Sequence, residues 1–92
     1  MATPGKSKII SVQIAVYTLG SEDLTPGIGA FLLELRRRGV RYDFGPMSTV
    51  VTGEQDMVWD AIKAGWDAAA EEGGRVVMTI TASNACPMPD RN

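Results

Sequence analysis

Apolar and polar residues alternate along two stretches of the chain, and each stretch predicts a β-strand with one buried face. In residues 9–17, every second side chain is β-branched and apolar, which is typical of a half-buried strand. Residues 76–81 repeat this alternation. The side chains expected to face the helices are Ile10, Val12, Ile14, Val16, Met78 and Ile80.

Two other segments carry apolar residues at helical spacing. From Ile28 onward, apolar side chains recur at i, i+3, i+4 and i+7, and a Thr25-Pro26 pair predicts the start of this helix. The arginines at positions 36–38 suit its last turn, and Gly39 is placed to end it. A second helix is predicted from Glu54 to the glycines at 73–74, with Trp59 and Trp66 seven positions apart.

Two short β-rich segments, 40–44 and 49–52, lie on either side of a Gly-Pro-Met-Ser bend and predict a hairpin. The element order is therefore βαββαβ. With right-handed crossovers, this order predicts an α+β, ferredoxin-like fold, in which a four-stranded antiparallel sheet carries both helices on one face. We assign residues 1–8 to a flexible leader, 9–82 to the domain and 83–92 to an irregular tail.

The sheet face turned away from the helices is predicted to be polar but almost uncharged. Its expected residues are Ser11, Gln13, Ala15, Tyr17, Val77, Thr79 and Thr81. Short hydroxyl, amide and small side chains suit contact with another protomer or a pocket with several hydrogen bonds. We expect this face to be buried in an oligomer, and the alternative is an ordinary solvated sheet face.

Composition narrows the possible functions. The chain has no histidine, which removes the usual general base and the usual zinc ligand. The net charge of −2 and the lack of a basic face give no indication of nucleic-acid binding. No apolar run is long enough to cross a membrane, and we expect no membrane partner. The single cysteine, Cys86, fits the reducing cytoplasm and has no neighbouring base to activate it.

The bend from Gly45 to Glu54 holds the strongest candidate chemistry. It combines free backbone amides, the adjacent hydroxyls of Ser48 and Thr49, and a carboxylate at the start of a helix. That carboxylate has two interpretations. It stabilises the helix by interacting with the positive end of the helix dipole, or it accepts hydrogen bonds from the amino group of a ligand.

This bend also carries a family resemblance. Residues 42–49, Tyr-Asp-Phe-Gly-Pro-Met-Ser-Thr, followed by Gly53-Glu54 and a helix containing Asp56 and Val58, are similar to the most characteristic segment of the thiamine-binding, YkoF-like family. Residues 10–20 resemble its first strand, and residues 74–76 resemble the start of its last strand. The resemblance covers about residues 9–81.

The resemblance implies a ferredoxin-like domain that assembles into dimers or tetramers and binds thiamine or its hydroxymethylpyrimidine part. We expect Ser48 and Thr49 to contact the pyrimidine, Gln13 to orient it, and Tyr17 or Phe44 to stack on it. Glu54 would pair with the amino group or attract the cationic thiazolium. The predicted ligand site thus comprises Gln13, Tyr17, Phe44, Ser48, Thr49 and Glu54, with no catalytic residue, metal or cofactor.

Two other functions compete with this interpretation. One is an oligomeric regulatory or assembly module for another metabolite. The other is a cofactor-independent enzyme of the dimeric α/β-barrel kind, for which this chain offers only Tyr17 and Asn84 as reactive candidates.

Overall fold

The computed structural model describes residues 8–20 and 25–85 of the chain. Six elements follow one another in the predicted order. They are β1 (Ile9–Thr18), α1 (Thr25–Arg37), β2 (Arg41–Phe44), β3 (Thr49–Glu54), α2 (Gln55–Gly73) and β4 (Val76–Ser83). Residues 1–7, the side chain of Thr25, and residues 86–92 with Cys86 lie outside the description, so the predictions made for them stay predictions.

The strands form one antiparallel sheet in the order β2-β3-β1-β4. Both helices pack on the same side of this sheet, and the ferredoxin-like α+β fold predicted from the sequence is confirmed. β4 extends to Ser83, one residue beyond the predicted end of the domain.

Local sequence explains how each helix ends. Gly39, with φ of 74°, follows α1, and the two arginines of the last turn lie at the negative end of its dipole. Gly74 ends α2 at φ of 80° and donates its N–H to the carbonyl of Ala70 at 2.7 Å. Both glycines occupy backbone conformations that other residues adopt only with strain.

The core lies between the sheet and the two helices. Its largest fully buried side chains are Val12, Ile14, Phe31, Leu35, Val51 and Val58. The helices approach closely at Gly65, where an added Cβ would lie 2.8 Å from Cε1 of Phe31. The absence of a side chain at this position therefore creates the space that the aromatic ring occupies.

β4 differs from the expectation in one respect. Ile80 pairs directly with Ile14 and shares its helix-facing side, yet Ile80 is 42% exposed whereas Ile14 is 1% exposed. The prediction that Ile80 lies under the helices is wrong in this sense. β4 is an edge strand, and only Val76 and Met78 of its helix-facing residues pack against the core.

Candidate ligand-binding site

The sheet loses one strand beside the last part of β1. The pairing of β1 with β3 ends at Ile14 and Thr49, whereas its pairing with β4 continues to Thr18 and Val76. Residues 15–18 therefore have a neighbouring strand on one side only. We call the other side, where β3 has already ended, the strand notch.

The strand notch presents main-chain hydrogen-bonding groups. In an antiparallel sheet, successive residues direct their N–H and C=O alternately to the two neighbouring strands. Two of the four residues 15–18 consequently direct both their N–H and their C=O towards the notch. The turn between β2 and β3, closed by the 2.9 Å bond from Gly45 N–H to the Ser48 carbonyl, borders the notch on its far side.

A cavity of about 230 Å³ occupies the strand notch and continues beneath the first turns of α1. Ile28 and Phe31 of α1 contribute to its wall on the helix side of the sheet. The remaining lining residues come from the end of β1 and from the β2–β3 turn: Ile14, Ala15, Val16, Tyr17, Phe44, Gly45, Pro46, Met47, Ser48 and Thr49. None of these described lining residues is charged, which suits a flat and largely apolar ligand.

One hydroxyl in the cavity wall has no hydrogen-bond partner among the residues that the structure describes. Thr49 is 5% exposed, and within residues 8–20 and 25–85 no hydrogen bond reaches its side chain. Most buried polar side chains in proteins are hydrogen-bonded, and an exception calls for a specific explanation such as a water or a ligand. Thr49 therefore offers a buried donor and acceptor at the wall of the cavity.

Four of the six predicted site residues line the cavity: Tyr17, Phe44, Ser48 and Thr49. The hydroxyls of Ser48 and Thr49 do not act side by side, because successive residues of an extended segment point to opposite sides of the sheet. Ser48 Oγ accepts a hydrogen bond from Gln13 Nε2 at 3.3 Å on the face away from the helices. Thr49 is turned towards the helices.

Gln13 and Glu54, the other two predicted residues, are not among the side chains that line the cavity. Gln13 orients Ser48 through the contact just described. Glu54 ends β3 five residues beyond Thr49, roughly 17 Å along an extended strand. Its Oε1 accepts the N–H groups of Asp56 and Met57 at 3.1 and 3.2 Å. Of the two interpretations of this carboxylate, the structure supports the helix start.

Replacing Glu54 with alanine tests this capping role. Because two N–H groups of the first turn of α2 lose their acceptor, we expect the free energy of unfolding to fall by about 0.5–2 kcal/mol. Glu71→Ala is the matched control, since Glu71 is an exposed glutamate in the last part of the same helix. Urea denaturation of both variants measures the difference. Equal stability of Glu54→Ala and the wild type would contradict the capping role.

Sequence reasoning missed the wall formed by Ile28 and Phe31, because apolar residues at helical spacing are ordinarily assigned to the core. A signal was nevertheless present. The predicted first strand spans nine residues and the predicted third strand only four, and strands of unequal length leave part of the longer one unpaired.

Other kinds of site find no support in the part of the chain that the structure describes. In residues 8–20 and 25–85, no three Asp, Glu, Cys or His side chains gather as metal ligands would. Neither of the two helices combines the length and the apolar character needed to cross a bilayer.

Comparison with known proteins identifies a family that the sequence matches. Residues 10–85 match the sequence profile of the family described as thiamine-binding protein. No protein with a curated description matches the chain significantly.

Solved structures share the fold. A Thermotoga maritima protein, assigned provisionally to thiamine biosynthesis or salvage, is 25% identical, with 82% of each chain covered and a TM-score of 0.72. A domain of unknown function, DUF77, from Bacillus cereus is 24% identical over 84% of this chain and 76% of its own, with a TM-score of 0.73. A Streptococcus pneumoniae protein is 22% identical, with 82% and 84% covered and a TM-score of 0.75.

Proposed function

The chain belongs to the thiamine-binding protein family, and we propose that it binds thiamine through the pyrimidine half, or binds free hydroxymethylpyrimidine, without catalysing a reaction. The observation that carries the proposal is the buried hydroxyl of Thr49, which bonds to no residue among 8–20 and 25–85, in a cavity that occupies the strand notch and whose described lining is uncharged.

The aminopyrimidine ring matches the chemistry of the notch. An amino group next to a ring nitrogen presents a donor and an acceptor side by side. The edge of a β-strand presents N–H and C=O groups in the same direction, so the two edges are complementary. Ile28 and Phe31 supply apolar surface for the flat ring, and Thr49 is available for a remaining polar atom.

The charge of the cavity favours the pyrimidine over the thiazolium. Moving a cation out of water is costly unless an anion or several acceptors replace its hydration. The described residues of the cavity wall include no carboxylate, and Glu54 is engaged at the far end of β3. We therefore place the pyrimidine inside the cavity and the thiazolium at its mouth, where Phe44 and Met47 are exposed.

Isothermal titration calorimetry with four compounds tests the proposal. We expect binding of thiamine and of hydroxymethylpyrimidine, and no binding of the free thiazole alcohol. A thiamine analogue with oxygen in place of the pyrimidine amino group should bind more weakly, because the oxygen accepts a hydrogen bond where the amino group donates one. Absence of heat with both thiamine and hydroxymethylpyrimidine at millimolar concentration would overturn the proposal.

Thr49→Val is the sharpest single substitution, because it removes the hydroxyl and keeps the shape of the side chain. We expect the affinity for hydroxymethylpyrimidine to fall roughly three- to ten-fold, equivalent to about 0.5–1.5 kcal/mol for one hydrogen bond. Stability should stay unchanged or rise, because the hydroxyl has no partner in the unliganded protein.

Thr52→Val is the matched control for this experiment. Thr52 is a buried threonine of the same strand, but it lies outside the cavity, with its hydroxyl 3.5 Å from that of Ser11. We expect Thr52→Val to leave the affinity unchanged. Equal affinities of Thr49→Val and Thr52→Val would show that the Thr49 hydroxyl does not contact the ligand.

Self-association and a cytoplasmic location remain predictions from the sequence.

A further inference from the structure

One side chain in the wall of the cavity is open to chemical modification. The described lining contains no charged residue and no cysteine, so it offers neither an ionised group nor a thiol. It does contain one thioether, the side chain of Met47. A hydroperoxide oxidises a thioether to a sulfoxide, which converts a flexible apolar side chain into a polar one, and methionine sulfoxide reductases reverse the change.

The position of Met47 gives an oxidant access to its sulfur. The 2.9 Å bond from Gly45 N–H to the Ser48 carbonyl closes the β2–β3 turn and leaves Pro46 and Met47 at its tip. Met47 is 85% exposed although it lines the cavity. Its thioether therefore lies at the mouth of the cavity, where it meets solvent before any ligand has bound.

The other two methionines that the structure describes are less accessible. Met57, in the first turn of α2, is 50% exposed and is not among the residues that line the cavity. Met78 of β4 is partly buried and packs against the core. Because the oxidant has to touch the sulfur atom, we expect the rate of oxidation to fall in the order Met47, Met57, Met78.

We propose that Met47 is a site of reversible oxidation and that its sulfoxide weakens ligand binding in the cavity; the second half rests on the proposed function. In the oxidation step, a lone pair of Met47 Sδ attacks the terminal oxygen of a hydroperoxide. The O–O bond breaks and an S–O bond forms, so sulfur loses two electrons and the peroxide gains them. The remaining oxygen takes up the proton of the terminal oxygen and leaves as an alcohol, or as water from hydrogen peroxide.

The sulfoxide opposes binding because of where its oxygen lies. A ligand that enters the cavity covers part of the Met47 side chain. A polar oxygen covered without a hydrogen-bond donor loses its hydration and gains nothing in return, and the neighbouring side chains of Phe44 and Pro46 carry no donor. For the same reason, a bound ligand shields the sulfur from the oxidant. Ligand binding and oxidation of Met47 therefore oppose each other.

Peptide mapping by mass spectrometry during treatment with hydrogen peroxide tests the modification site. In the unliganded protein, we expect Met47 to be oxidised several-fold faster than Met57, and Met78 to react most slowly. Saturating hydroxymethylpyrimidine should slow the oxidation of Met47 and leave that of Met57 unchanged. The unliganded rates do not depend on the proposed function. Oxidation of Met47 no faster than that of Met57 would overturn the assignment.

Calorimetry after peroxide treatment tests the effect on binding. We expect the affinity of the wild type for hydroxymethylpyrimidine to fall about three- to ten-fold, and reduction by methionine sulfoxide reductases with a dithiol to restore it. Met47→Leu should show the same affinity before and after treatment, which also tests oxidation elsewhere in the chain. Met57→Leu is the matched control and should lose affinity as the wild type does.

The two proposals fail in different ways. If the untreated protein does not bind hydroxymethylpyrimidine, the proposed function and the effect on binding fall together, while the unliganded rates still decide whether Met47 is the oxidation site. If the untreated protein binds and the protein oxidised at Met47 binds equally well, only the effect on binding is overturned.

Discussion

Gly65→Ala is expected to destabilise the protein, although alanine is the better helix former. The new methyl group would overlap the ring of Phe31, with only 2.8 Å to Cε1, and that ring is fully buried. Overpacking of this kind costs about 1–3 kcal/mol, and the gain in helix propensity returns about 1 kcal/mol. We expect a net loss of up to about 2 kcal/mol, and each kcal/mol lowers Tm by ~4–8 °C in a domain of this size.

The same substitution at Gly29 provides the control. Gly29 lies within α1, and an added Cβ there meets no atom within 4 Å. We expect Gly29→Ala to stabilise the protein by up to about 1 kcal/mol, so the two variants should shift Tm in opposite directions. Calorimetric or circular-dichroism melting measures both, and shifts of the same sign would contradict the packing argument.

A double-mutant cycle tests whether the Phe31 ring is the cause. Phe31→Leu removes Cε1 and replaces the rigid ring with a smaller side chain that can turn away from the new methyl group. The double variant should therefore be more stable than the sum of the single changes implies. Because Phe31 also lines the cavity, displacement of its ring by Gly65→Ala should weaken ligand binding as well. Additive effects would show that the two positions do not interact.

Ile28→Trp is expected to abolish ligand binding while the fold persists. Ile28 is half-buried, lies in the first turns of α1 and lines the cavity. An indole at this position occupies much of the 230 Å³ into which the pyrimidine would enter. We expect the affinity for hydroxymethylpyrimidine to fall by at least about 100-fold, equivalent to ~2.7 kcal/mol. Stability should not fall, because the added ring fills space that already exists.

Leu33→Trp is the matched variant for this titration. Leu33 lies on the same helix, is exposed and does not line the cavity, so its replacement should leave the affinity unchanged. Calorimetry with hydroxymethylpyrimidine compares the two variants, and melting curves establish that both are folded. If Ile28→Trp retained wild-type affinity, the ligand would have to bind outside this cavity.

The fold was predictable because its signals are local and repeated. Alternation in β1 and helical spacing in α1 each recur over several positions, and the glycines after the helices mark their ends. The exposure of Ile80 was not predictable in this way. Periodicity tells which side chains share a face of a strand, but it does not tell how far the helices extend over that face.

The candidate site was predictable only in part, because the sequence does not show in which direction a side chain points or which hydrogen bonds it already makes. The Gly45–Thr49 bend identifies one border of the cavity, and four of the six predicted residues line it. Two adjacent hydroxyls in a sequence do not reveal that they point to opposite sides of the sheet. Nor does a carboxylate at a strand end reveal that its oxygen already accepts two N–H groups of the next helix.

The unequal lengths of β1 and β3, ten and six residues, have a consequence for how the chain tolerates change. The dimensions of the opening depend on where a strand stops, and the anchoring groups belong to the peptide backbone. Exchanging the apolar wall would thus alter selectivity without erasing the anchor. Conversely, lengthening the β2–β3 hairpin by about four residue pairs would pair residues 15–18 and close the opening, although every wall residue kept its identity.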